Sequence, residues 1–197
     1  MRYIAIEREY GSGGTEIARE LAKVCNIPCY GQEILERASV KMNMPVESIQ
    51  RYEEKATNSL MYSLYMLSQV QSGNGEILST EGKVFYEEQN AIRELAHQGS
   101  AIFLGHCASE TLKECGEVIR VYIHADTETK KERIKSEYGI SESHISEIER
   151  KNNRRRANYF TTNTQKRWDD YHIYDIVLDS SKLGIDGSVN VLKGLIL

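Results

Sequence analysis

The sequence predicts an α/β protein built on a parallel sheet. Three observations carry the prediction: short apolar runs rich in β-branched residues recur along the chain, helical patterning separates consecutive runs, and a glycine-rich turn joins the first run to the first helix. Strands separated by helices can be linked by crossovers, which is what a parallel sheet requires.

The first strand is read at Tyr3 to Ile6. After the turn Gly11-Ser12-Gly13-Gly14, the stretch Thr15 to Val24 puts Ile17, Leu21 and Val24 on one helical face. A short strand is expected near Pro28 to Tyr30. From there to Gln98 the pattern is nearly all helical, including the run Leu60 to Leu67, and is interrupted at Ser72 to Gly75. That excursion is too long for a simple crossover and suits a region covering a substrate. Ser100 to Leu104, Val118 to Ile123 and Tyr174 to Leu178 supply the remaining strands. Asp126 and Ser141 each stand where an N-cap side chain precedes an acidic first turn. The second of these helices runs into Arg154-Arg155-Arg156, whose side chains fan around the helix so that at most two can face one ligand. Residues 1–197 are therefore read as one domain, with a helical region at about 31–98 and a basic, lid-like region at about 141–170.

The segment Arg8-Glu9-Tyr10-Gly11-Ser12-Gly13-Gly14-Thr15-Glu16 sits between a strand and a helix, where glycines let the backbone curl round an anion and unpaired amides of the first helical turn point at it. Against the phosphate-loop pattern G-x-x-x-x-G-K-[ST], Gly13 and Thr15 match, while Arg8 replaces the first glycine and Gly14 replaces the lysine. The dinucleotide pattern G-x-G-x-x-G fails because Glu16 stands at its third glycine. Gly11, Ser12, Gly13, Gly14, Thr15 and Glu16 are the candidate phosphate-binding residues. A lysine restored at Gly14 is expected to tighten nucleotide binding.

The chain has 197 residues, 40% of them hydrophobic, enough for one substantial core. A net charge of −4 supplies no overall basic field for nucleic acid, so a small charged ligand is the expected partner. Cys25, Cys29, Cys107 and Cys115 lack metal-type pairing and read as reduced thiols in a cytoplasmic protein. No apolar stretch reaches the roughly 18 residues of a membrane span, so no membrane partner is expected. His97, His124, His144 and His172 show no ligand spacing, and no zinc site is expected from the pattern. Nothing in the sequence speaks to oligomeric state.

Taken together, these blocks resemble the cytidylate kinase-like family of P-loop proteins, within the nucleoside monophosphate kinase superfamily. The resemblance is carried by Arg8 to Gly14, Ile27-Pro28-Cys29-Tyr30, Phe103-Leu104-Gly105-His106-Cys107-Ala108, Arg156-Ala157-Asn158-Tyr159-Phe160 with Thr164 and Trp168, and Tyr174-Asp175 leading to Leu178-Asp179-Ser180-Ser181. It implies a P-loop NTPase-type parallel five-stranded sheet flanked by helices, a helical substrate-binding insertion and an arginine-bearing lid. It also implies transfer of the ATP terminal phosphoryl group to a nucleoside monophosphate or similar small acceptor, with Mg²⁺ accompanying ATP. Carried over by motif, Gly11 to Thr15 would cradle the donor phosphates and Thr15 or Ser12 would approach the magnesium. Arg155 and Arg156 would be catalytic lid arginines, Arg8 a substitute cation, and Gly105 and His106 acceptor-binding residues. Three departures stand out: the family's cations at Gly14 and Thr15 are missing, His106 stands where an arginine usually follows the glycine, and Gly31 stands where an aspartate is usual. The alternative expectation is a nucleotide-binding protein that has lost transfer and serves as a sensor or regulator.

Overall fold

A computed structural model describes residues 1–56 and 79–195. Five parallel strands form one sheet in the order β2-β3-β1-β4-β5, with β1 at Arg2–Arg8, β2 at Cys29–Tyr30, β3 at Ala101–Leu104, β4 at Glu117–His124 and β5 at Ile176–Asp179. Every predicted strand is present, within one or two residues at its ends. The Leu60 to Leu67 run and the break at Ser72 to Gly75 lie outside the described residues.

Alternation along β1 divides the core. Ile4 and Ile6 face helix α1 (Gly14–Cys25) and the C-terminal helix α8 (Ser180–Lys193), where they meet Ile17, Leu21, Val189 and Leu192. Tyr3 and Ala5 face α4 (Thr80–Ala96), packing with Ala91, Ile92 and Leu95. Both faces are thus covered, which is why the strand reads as an unbroken apolar run. On α1 the buried stripe is Ile17, Ala18, Leu21 and Ala22, whereas Val24 is 51% exposed. Ile17 and Leu21 are buried as the spacing predicts, and the stripe is completed by Ala18 and Ala22 instead of Val24.

Helices α2 (Gln32–Met42) and α3 (Val46–Ala56) pack with α4 above β2 and β3, around Leu35, Ile49 and Val84. The short α5 (Ala108–Leu112) follows β3, and α6 (Thr127–Tyr138) follows β4, its N-cap Asp126 accepting from the Thr129 amide at 2.8 Å. Helix α7 runs from Glu142 to Thr164, through the polar stretch Thr161 to Thr164. An aromatic cluster of Tyr122, Phe160, Trp168 and Tyr174 fastens its C-terminal end to β4.

β1 lies between β3 and β4: the chain builds β2 and β3 on one side of it, then crosses over to build β4 and β5 on the other. At such a switch point the carboxyl ends of the strands diverge and open a crevice.

Candidate active site

The glycine loop lies at that crevice, at the end of β1. Gly11 (φ 79°) and Gly13 (φ 72°) occupy the left-handed region, and close neighbours make a side chain costly at both. A Cβ at Gly11 would stand 2.8 Å from Ile134, and one at Gly13 would stand 2.6 Å from Ile185. Arg133 donates to the Ser12 carbonyl at 2.8 Å and to the Ser180 hydroxyl at 2.9 Å, tying the loop to α6 and α8. The Ser12 hydroxyl is turned inward, donating to the Glu9 carbonyl at 2.8 Å and accepting from the Gly14 amide at 3.4 Å. Ser12 is fully buried, so its expected approach to magnesium is corrected: the loop itself consumes the hydroxyl. Thr15 faces outward instead and lines both the loop's hollow and the adjoining cleft. Glu16 is exposed and contributes its place in the first helical turn.

Arg8 explains the missing lysine. Its Cβ lies only 2.6 Å, and its Cγ 2.9 Å, from where a Cβ on Gly14 would stand, and its guanidinium reaches across to Gly105. The arginine stem therefore fills the space that a lysine at position 14 would need. Gly14 is glycine because Arg8 passes over it, since its own φ is not positive. This contact sets a steric cost against the lysine that the sequence analysis expected to tighten binding there.

Arg156 donates to the Arg8 carbonyl at 2.9 Å and lies over the Tyr10 ring, 5.8 Å from its centroid. Burial, followed by the neighbouring charge of Arg8, pulls its guanidinium down to about 9. Burial likewise lowers Arg8, whose Nε is shut from solvent without a partner. Glu7, beside them, has its carboxyl raised chiefly by burial, against the pull of Arg8, the Trp168 indole and Arg156. Trp168 donates to it at 3.0 Å, so this residue anchors the β1 end rather than stacking on a ligand. Two crowded guanidinia sharing one buried carboxylate form a site short of negative charge.

A cleft of about 420 Å³ extends from the loop beneath α2 and α3, within the range of small-molecule sites. It gathers Arg8, Arg19, Arg155 and Arg156 against the carboxylates of Glu7 and Glu53. Of the arginine triplet, Arg155 and Arg156 line it, and Arg154 faces a separate groove beside Trp168. Sequence reasoning missed Arg19, although it stands four residues after Thr15 on the same helical face. It also missed Glu7, Gln32, Gln50 and Glu53, for which no local pattern exists. The hollow directly over the glycines is only about 30 Å³, room for one or two water-sized groups. Tyr10 and Tyr138, stacked with ring centroids 5.3 Å apart, border it.

At the far end, the turn after β3 carries Gly105, His106 and Cys107 at successive positive φ of 77°, 56° and 55°. Gln89 donates to the His106 carbonyl at 3.1 Å, helping to hold a conformation that non-glycine residues resist. Gly105 and His106 both line the cleft, but His106 does not offer a bare cation: its Nδ1 lies 2.9 Å from Glu53 Oε1. Behind them Glu88 is fully buried and accepts a short hydrogen bond from Tyr159. Burial foremost, then the Glu53 carboxylate, pushes its carboxyl up.

A buried ion triad braces the glycine loop. Lys130, 8% exposed, contacts Glu9 at 3.0 Å and Glu149 at 2.7 Å, joining the loop, α6 and α7.

Residues 3–182 match the cytidylate kinase-like family. The chain belongs to that family. A cytidylate kinase of Pyrobaculum calidifontis is 24% identical over 193 residues, covering 97% of this chain and 90% of its own. Among solved structures, an uncharacterized protein of Eubacterium ventriosum superposes with a TM-score of 0.71 at 24% identity, covering 100% of this chain and 98% of its own. A shikimate kinase of Bacteroides thetaiotaomicron superposes at 0.52 and 14% identity, over 100% of this chain and 98% of its own. These two likenesses show the fold alone, the parallel five-stranded sheet flanked by helices that the sequence predicted. Among the described residues no helix is long and apolar enough to cross a membrane.

Proposed function

We propose that this protein transfers the terminal phosphoryl group of ATP to a nucleoside monophosphate or similar small acceptor. The observation that supports this most is the convergence of Arg8, Arg19, Arg155 and Arg156 on one cleft that opens from the glycine loop, in a chain whose net charge is −4. Phosphoryl transfer depends on positioning and on neutralising charge spread over the equatorial oxygens, and this cleft is built to do both. The donor phosphates rest on the amides from Gly13 to Glu16. Arg8 fills the lysine's role from the opposite side of the loop, with the end of its guanidinium reaching toward Gly105 in the cleft. Arg156 and Arg155 close over the transferring group from the 141–170 region, which acts as the lid. The acceptor lies beneath α2 and α3, in the 31–98 region, with Gly105 leaving room for the Arg8 guanidinium to reach it.

The donor set fits magnesium in part: the Thr15 hydroxyl faces the loop's hollow, and among the described residues it has no protein partner. Thr15 would hold the ion, which supplies charge neutralisation across the donor phosphates when bound.

The second reading, a nucleotide-binding protein that no longer transfers, draws on the small hollow bordered by the Tyr10–Tyr138 stack and on the neutralising contact between His106 and Glu53. A coupled assay of ATP consumption against CMP, dCMP, other monophosphates and small hydroxyl acceptors separates the two. Acceptor-dependent turnover supports a kinase. Tight ATP binding with no turnover on any acceptor would favour the sensor.

A further inference from the structure

We propose that Glu53, Glu88 and His106 bind a divalent transition-metal ion, such as Mn²⁺ or Zn²⁺, distinct from the magnesium that accompanies ATP. The three side chains come from α3, α4 and the turn after β3, and one ligand atom of each lies within 4.8 Å of the others. Metal–ligand bonds of about 2.1 Å in a tetrahedral arrangement put ligand atoms about 3.4 Å apart, so the cluster needs only a small contraction. The His106 Nδ1 to Glu53 Oε1 separation is already 2.9 Å.

A second observation points into the cluster. Glu88 is fully buried, and Tyr159 satisfies one of its carboxyl oxygens. The other, Oε1, is shut from solvent and has no hydrogen-bond partner. A buried, unpartnered oxygen beside a second carboxylate and an imidazole nitrogen leaves a ligand set open to a cation.

The donor set decides the class of ion. One imidazole nitrogen with two carboxylate oxygens suits borderline ions, whereas magnesium prefers all-oxygen octahedra rich in water. Outer contacts are already in place: Tyr159 orients Glu88, and Gln89 fixes the His106 carbonyl. Glu53 and His106 line the cleft, so an ion held by them would be within reach of it. There it can take an oxygen of an anionic ligand.

The inference does not depend on phosphoryl transfer, because it is tested on the full chain without nucleotide. Mn²⁺ binding is followed by loss of the free-ion EPR signal, and Zn²⁺ by competition with a chromophoric chelator. One ion per chain is expected. Glu53→Gln, Glu88→Gln and His106→Gln should each weaken binding at least about tenfold. Glu94→Gln, an exposed carboxylate on the same helix as Glu88, should not change it. No stoichiometric binding, or unchanged affinity in the three variants with native circular dichroism, would overturn the proposal. If Glu88→Gln fails to fold, the Glu53 and His106 variants, whose side chains reach the cleft, decide the matter alone.

Discussion

Exchanging the loop's cation tests the account of Arg8 and Gly14 most directly. A lysine at position 14 with Arg8 retained must place its Cβ 2.6 Å from Arg8 Cβ and 2.9 Å from Cγ, distances that require the backbone or the arginine stem to move. Overpacking of this kind costs about 1–3 kcal/mol, offset by about 0.5–1 kcal/mol from removing a helical glycine. Gly14→Lys alone should therefore lose roughly 1–2 kcal/mol, or about 2–8 °C in Tm for a chain of this size. Arg8→Gly alone removes the cation and should weaken ATP binding. The double variant has no stem over position 14 and reads Gly-x-x-x-x-Gly-Lys-Thr from residue 8 to 15. It should be more stable than the sum of the single changes by about 1–3 kcal/mol, and should bind ATP at least as tightly as the natural chain. Scanning fluorimetry and ATP calorimetry on the four proteins supply the cycle. Additive effects to within about 0.5 kcal/mol would refute the idea that one cation replaced the other.

Three further outcomes are expected. Arg156→Ala should lower kcat, or ATP affinity if no acceptor is found, far more than Arg155→Ala does, because Arg156 lines both the loop's hollow and the cleft whereas Arg155 lines only the cleft; equal effects in steady-state kinetics would contradict this. Lys130→Met leaves Glu9 and Glu149 facing each other with only 21% and 16% side-chain exposure, so chemical denaturation should show a loss of about 2–4 kcal/mol. Glu7 has its folded-state carboxyl raised, so the proton is held more tightly in the folded chain; its contribution to stability is fully present below the ordinary carboxylate range and is lost as pH rises through the raised value. Glu7→Gln should flatten the fall in stability above about pH 4.5, and an unchanged profile in denaturant titrations from pH 4 to 8 would count against that burial.

The strands, the glycine loop and the arginines of α7 were legible in the sequence because each is a local pattern. Apolar runs, turn glycines and helical spacing act over a few residues and carry their own physical cause. Even the departures from the phosphate-loop pattern at Arg8 and Gly14 were visible, though as two separate anomalies. Only the tertiary structure brings them into contact, since that depends on how β1 meets α1. The same holds for Glu7, Arg19 and Lys130, whose roles arise from packing between elements distant in sequence. Histidine spacing gave no sign of a metal site, and His106, Glu53 and Glu88 meet only because α3, α4 and the β3 turn converge above the sheet. Sequence determines what each segment can be, through forces acting within a turn or a strand. Which side chains share a cleft, and so which charges must be balanced there, is decided by how those segments pack.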